Sequence, residues 1–347
     1  MRNVLPALLA FASLPVLAQE APAPKIVPAP DYVLRVDVKT EKPHTVLSPM
    51  KTDSQGRTTG TFAVYGGSAL IQVSSFSFSS DGKTLAVGST PSGVDIWNVE
   101  TRTNVNFFSE GSTVALSPDG RLLATTGKDI YLWDIASHKI IETLPWGIGA
   151  TIWRMSFDPR GSRLLVRANG QNDTVYDVKS GQKLTSLVNT QEAQFSRDGL
   201  IAVGGNSKHI ISWNTNDWSQ IRDLPNGPDY VTRFAVAPNK DFVVVGGPNS
   251  ARLIRLSTGE EIARLGRGYT NFAAFDQTGS FIFVYSGSGD GFGVWDTNGK
   301  LLCATKKVSG NMELSPDGHW LATAHASGSR DVELWDIGNV LNSCRNW

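Results

Sequence analysis

Ser117-Pro118-Asp119-Gly120, followed by Leu132-Trp133-Asp134-Ile135, is the stretch that decides the fold, because the chain repeats it. The counterparts of its turn are Ser79-Ser80-Asp81-Gly82, Asp158-Pro159-Arg160-Gly161, Ser196-Arg197-Asp198-Gly199, Ala237-Pro238-Asn239-Lys240, Asp276-Gln277-Thr278-Gly279 and Ser315-Pro316-Asp317-Gly318. The seven turns recur about every 40 residues, the period of a four-stranded structural repeat. A second marker keeps step with them at Trp97, Trp133, Tyr176, Trp213, Arg255, Trp295 and Trp335. It is followed by Asn98, Asp134, Asp177, Asn214, Leu256, Asp296 and Asp336. Chance matches would drift, and two markers in step over seven units do not.

Each part of the unit has a mechanical role. Ser or Asp opening the turn accepts backbone hydrogen bonds, Pro presets φ, and Gly takes the left-handed position, so the turn closes a hairpin. The flanking runs, such as Val114-Ala115-Leu116 and Leu122-Leu123-Ala124, are short and apolar, as buried strands are. A third strand carries the Trp, and a more polar fourth follows, for example Lys139–Leu144. A four-stranded sheet of about 40 residues cannot cover both its apolar faces alone, and sheets packed around an axis cover each other. The sequence therefore predicts an all-β chain folded as a seven-bladed β-propeller of four-stranded antiparallel blades.

The residues Ser117-Pro118-Asp119-Gly120 with Leu132-Trp133-Asp134-Ile135, and Ser315-Pro316-Asp317-Gly318 with Leu334-Trp335-Asp336-Ile337, resemble the WD-repeat β-propeller family over roughly residues 60 to 340. The resemblance implies a protein-interaction scaffold. The Gly-His pair that this family often carries between blades is missing, which marks the repeats as divergent. The resemblance also implies that an N-terminal strand completes the last blade, and Thr61-Phe62-Ala63-Val64-Tyr65 is the expected segment. Tyr32 to Val38 also alternates like a strand and is a second candidate for an outer edge.

Residues 1–18 read as a signal peptide: Arg2 is basic, Val4 to Val16 is apolar, and Val16-Leu17-Ala18 offers a small-residue cleavage site. The apolar stretch is too short to span a bilayer. Export to the periplasm or secretion is expected, with a mature chain beginning near Gln19. Residues 19–59 form a Pro/Ala-rich N-terminal segment, and residues 60–347 form the propeller. Export makes a bridge between Cys303 and Cys344 an expectation, against the alternatives of free thiols or pairing between chains. The 32 Lys and Arg balance 32 Asp and Glu, so the basic footprint of a nucleic-acid binder is lacking. Nothing in the sequence supports membrane insertion or association of propellers beyond a monomer.

No catalytic spacing stands out. The five histidines have no ligand spacing, no Gly-x-Ser-x-Gly elbow occurs, and the cysteines form no Cys-x-x-Cys pair. The expectation is therefore no enzyme, no metal and no cofactor. Asp129, Asp173, Asp290 and Asp331 fall in the loops after the second strands, where they read as turn terminators or, alternatively, as oxygen ligands for a cation. The loops between blades hold aromatic and basic residues, of the kind that build binding rims. Trp146, Arg267, Tyr269, Lys306 and Lys307 are the candidates for contact with a protein or peptide partner, while Trp153 and Tyr230 read as core. The alternative is a propeller enzyme or a small-ligand or metal binder acting at the central channel mouth.

Overall fold

The computed structural model describes residues 32–35, 51–52, 58–59, 72–90, 93–146, 150–225, 230–306, 308–324 and 331–345. Seven four-stranded antiparallel sheets follow one another along them. Each is a blade, and in the first six the strands lie side by side in chain order, from the first strand at the axis to the fourth outside. The seven first strands are Gln72–Phe78, Val114–Leu116, Ile152–Phe157, Glu192–Phe195, Arg233–Val236, Thr270–Phe275 and Asn311–Leu314.

Seven apolar clusters fill the seven gaps between neighbouring blades. The gap between blades one and two holds Val94, Ile96, Phe108, Val114 and Leu123, and the gap between blades six and seven holds Phe283, Phe292, Leu321 and Trp335. Phe76, Leu85 and Trp97 of blade one pack on Ala322, Val332 and Leu334 of blade seven, which closes the ring. Burial of this apolar area, at roughly 25 cal/mol per Å², is the main force holding blade to blade.

The turns work as their composition predicts. Ser117 Oγ donates to Asp119 Oδ1 at 2.6 Å and accepts Leu122 N at 2.8 Å. Asp158 and Asp276 stand in for the Ser, accepting Arg163 N at 2.8 Å and Phe281 N at 2.7 Å. Gly199 has a φ of 68°, and a Cβ there would meet Pro159 Cδ of the preceding turn at 3.2 Å. Pro stacks under Gly in the same way at Pro118–Gly161 and Pro238–Gly279. Blade four has Arg197 where Pro would stand, and the next turn carries Lys240 at a φ of 60° in the Gly position.

The Trp-Asp pair also has a visible role. Trp133 Nε1 donates to Thr125 Oγ1 at 2.9 Å and Trp335 Nε1 to Thr323 Oγ1 at 3.1 Å, so each indole is tied to the second strand of its own blade. The following acid closes the turn into the fourth strand: Asp134 Oδ1 accepts Ser137 N at 2.8 Å, and Asp177 Oδ1 accepts Ser180 N at 2.8 Å. In blade five the strand register corrects the sequence alignment. Ile254 pairs with Val243 as Trp97 pairs with Leu85, so Ile254 holds the Trp slot and Arg255 the Asp slot. Arg255 fills that slot through an ion pair to Asp241 at 2.9 Å.

Blade seven takes its outer strand from Tyr32–Arg35, which pairs antiparallel with Asp331–Asp336. The expected replacement, residues 61–65, lies outside the described residues, and the edge it was to fill is occupied by the more N-terminal segment. After Trp335 and Asp336 the chain turns into a helix, Ile337–Arg345. Asp336 Oδ1 accepts Asn339 N at 3.0 Å as its N-cap, and Val340 joins the core between blades six and seven.

Candidate functional site at the channel mouth

The seven first strands surround a central channel of about 490 Å³. The Ser-Pro-Asp-Gly turns ring one opening, the turn face, and the loops between blades ring the other, the loop face. Because side chains alternate along a strand, the residues two and four positions before each turn point to the axis. Four before stand Ser75, Thr113, Arg154, Glu192, Arg233 and Asn311, and two before stand Ser77, Ser156, Gln194 and Glu313. Sequence reading passed over these residues, and counting back from the turns would have found them.

The channel holds a charged network. Arg154 Nη2 of blade three donates to Glu313 Oε2 of blade seven at 3.0 Å, and Arg154 Nη1 lies 3.9 Å from Glu192 Oε1. Arg167 also pairs with Glu192. Arg233 donates through Nη1 to the carbonyl of its neighbour Thr232 at 3.1 Å. Burial and then the nearby arginines lower both guanidinium pKa values, Arg167 and Arg233 each to about 10, so both stay charged at neutral pH. Burial raises the Glu313 carboxyl against the pull of Arg154 and Arg233. At the turn face Arg197 crosses to blade seven, donating to Pro316 O at 2.9 Å.

Around the loop-face mouth the inner strands depart from regular pairing. In blade three Ile152 pairs with Ala168 and Arg154 with Arg167, leaving Trp153 as the extra residue of a β-bulge. In blade six Asn271 is the extra residue in the same place. Bulges re-aim side chains, and Trp153 is 53% exposed with the Arg167 guanidinium 5.1 Å from its ring. Tyr230 and Tyr269 are 48% and 39% exposed, with ring centroids 6.3 Å apart. Trp153 and Tyr230 are therefore rim residues, against their expected place in the core. A single inserted residue that flips the alternation is invisible in the composition of the strand.

The other candidates distribute as follows. Trp146 is half-buried against the core between blades two and three, its Nε1 donating to Ala150 O at 3.0 Å, so it is not the exposed contact its loop suggested. Arg267 is exposed and pairs with Asp290 at 3.2 Å, and Lys306 is exposed, while Lys307 lies outside the described residues. Of the loop acids, Asp129 Oδ1 accepts Trp146 N at 3.1 Å and Asp290 holds Arg267. Asp173 is fully buried, and burial raises its carboxyl to about 7 despite the nearby Arg167. Among the described residues no three His, Cys, Asp or Glu side chains gather to hold a metal ion. Nor, among them, is any helix long and apolar enough to cross a membrane. Cys303 is buried on the fourth strand of blade six.

No family model matches the chain. Among curated proteins it is similar to Pre-mRNA-processing factor 19 of Oryza sativa subsp. japonica, 31% identical over 46% of this chain and 32% of the relative. It is also similar to Small ribosomal subunit protein RACK1 of Glycine max, 34% identical over 31% of this chain and 33% of the relative. The chain thus spans about a third of the length of these curated relatives. Among solved structures, the β-propeller domain of Cps50 (Swd1) from Myceliophteria_thermophila superposes with a TM-score of 0.64. That likeness covers 80% of this chain and 99% of the domain at 14% identity, which establishes the shared fold.

Proposed function

Because the chain is a divergent WD-repeat β-propeller, we propose that it is a non-catalytic interaction scaffold whose loop face binds a protein or peptide. One observation carries this reading: Trp153, on the inner strand of blade three beside Arg167, and the Tyr230–Tyr269 pair, in the loops that lead into the inner strands of blades five and six, stand exposed at the loop face. Exposed aromatic rings next to arginine are the side chains that dominate binding energy at protein interfaces, since they cover large area at small entropic cost. The frame beneath them is fixed by strand pairing, so little ordering is required on binding.

The test is photocrosslinking from Tyr269 in the native host, with the captured protein identified and the capture repeated in Trp153→Ala and Tyr230→Ala. The reading expects one partner whose capture falls at least tenfold in both variants. Capture from the turn face at Gly120, unaffected by those variants, would reverse the face.

Export belongs to the same proposal and is supported by the basic start and the apolar run from Val4 to Val16. N-terminal sequencing of the mature protein checks it, with Gln19 as the expected first residue. A Cys303–Cys344 bridge is supported by Cys344 being the other cysteine of the chain and by the contact of helix Ile337–Arg345 with the strand Leu301–Thr305. On the chain-entropy model a loop of that length contributes roughly 3–4 kcal/mol. Two thiols titrating in unfolded, unreduced protein would refute it.

A further inference from the structure

The charges in the channel do not balance. Three guanidinium groups, those of Arg154, Arg167 and Arg233, influence one another at the loop-face end of the inner strands. Two carboxylates answer them: Glu313 takes Arg154, and Glu192 takes Arg167. Asp173 lies near Arg167 as well, but burial keeps its carboxyl protonated up to about pH 7. Arg233 is left with the neighbouring Thr232 carbonyl, and among the described residues no carboxylate lies within ion-pair distance of it. Glu313 attracts Arg233 from beyond ion-pair distance, but it is already engaged by Arg154 at 3.0 Å.

A guanidinium taken out of water without a counterion is costly. Its five donors in a planar fork match the paired oxygens of a carboxylate, as they do those of a phosphate. Asn271 adds a donor at the same mouth. It lines the channel as the bulge residue of blade six, and its Oδ1 is engaged by Gly287 N at 2.9 Å, which leaves its amide Nδ2 for another partner. The channel has room for a small group beside them.

We propose that the loop-face end of the channel is a binding site for a single carboxylate, held by the Arg233 guanidinium with the Asn271 amide beside it. One cation is in excess, so a monoanion neutralises the site, whereas a phosphate dianion would exchange an unpaired positive charge for an unpaired negative one. The carboxylate is either that of a free small acid or an aspartate or glutamate side chain presented by a protein bound at the rim. The site stands apart from the scaffold reading, because the charge imbalance exists whatever covers the rim.

The experiment titrates the full chain at pH 6 and constant ionic strength, following tryptophan fluorescence and the melting temperature. The probes are acetate, the acetylated and amidated tripeptide Gly-Asp-Gly, its Gly-Asn-Gly counterpart and sulfate, which is a dianion at pH 6. Acetate or the Asp tripeptide is expected to raise the melting temperature progressively as its concentration exceeds its Kd, while the Asn tripeptide and sulfate do not. Binding of acetate alone identifies a site for a free acid, and binding of the Asp tripeptide alone identifies a partner's side chain; either result supports the proposal. Arg233→Gln is expected to weaken binding at least tenfold, and Asn271→Ala severalfold. Without ligand, Arg233→Gln is expected to melt no lower than the parent, since it removes an unpaired cation. A large drop would show that the fold already satisfies the guanidinium, and it would overturn the proposal. Failure of both carboxylates to bind at up to about 100 mM, or equal affinity in Arg233→Gln, would overturn it too. Intact partner capture at the rim alongside that failure would leave the scaffold reading standing.

Discussion

Arg154 in blade three and Glu313 in blade seven, 159 positions apart in sequence, meet across the channel at 3.0 Å. The pair ties two blades that share no apolar cluster. Removing one partner leaves the other charge in the channel without its counterion, so Arg154→Ala and Glu313→Ala are each expected to lower stability by roughly 1–3 kcal/mol. The double variant Arg154→Ala/Glu313→Ala is expected to lose less than the sum. Urea unfolding of the three variants checks the coupling, and strictly additive losses would refute it.

Asp173 gives stability a pH dependence of definite sign. Its folded pKa of about 7 lies above the ordinary 3.8, so the native state holds a proton that the unfolded chain releases. Its contribution is most favourable below about pH 4 and is lost as pH rises through 7, by about 4 kcal/mol at most. Asp173→Asn is expected to flatten this slope, leaving the variant more stable than the parent at pH 8 and similar to it at pH 4. Denaturation midpoints at the two values decide the matter, and parallel pH profiles would exclude Asp173 as the source.

The indole Nε1 atoms of Trp97 and Trp295 are buried without an acceptor, whereas those of Trp133 and Trp335 have Thr125 and Thr323. The position that carries Thr in blades two and seven carries Val87 in blade one and Val284 in blade six. Thr125→Val is therefore expected to cost about 1–2 kcal/mol, because it orphans a buried donor. Val87→Thr supplies an acceptor and is expected to be neutral or slightly stabilising. Val94→Thr, a control on the same blade with no donor assigned to it, should cost more than Val87→Thr. Equal losses for the two would show that the indole gains nothing from the hydroxyl.

The outer strand of blade seven makes a prediction about truncation. Tyr32–Arg35 pairs with Asp331–Asp336 over four residues, and without it that edge is open to solvent. A chain beginning after residue 35 is expected to melt several degrees lower and with reduced cooperativity. If residues 61–65 were the latch, that truncation would leave the melting curve unchanged.

Much of the fold was legible because its determinants are local. The left-handed Gly, the capping Ser or Asp and the acid after Trp act within a few residues of themselves, so Gly120, Ser117 and Asp134 announce their turns in the sequence. The rim was only partly legible. Tyr269 stands at the mouth as its loop suggested, but Trp146 folds back onto the core, and Trp153 is turned outward by a bulge. Arg255 shows the same limit: spacing alone put it in the Trp slot, and hydrogen-bond register moves it one place on.

By itself the sequence determined the seven-fold repeat, and through it the number of blades, the turns and the residues buried between sheets. Period and turn chemistry are properties of neighbouring residues, and they survive divergence of the individual words. The tertiary structure alone decided which strand closes blade seven, that Glu313 answers Arg154, and that among the described residues no carboxylate comes within ion-pair distance of Arg233. Those outcomes depend on ring closure, which brings residues from opposite ends of the chain to one axis, where burial removes the water that would otherwise screen them.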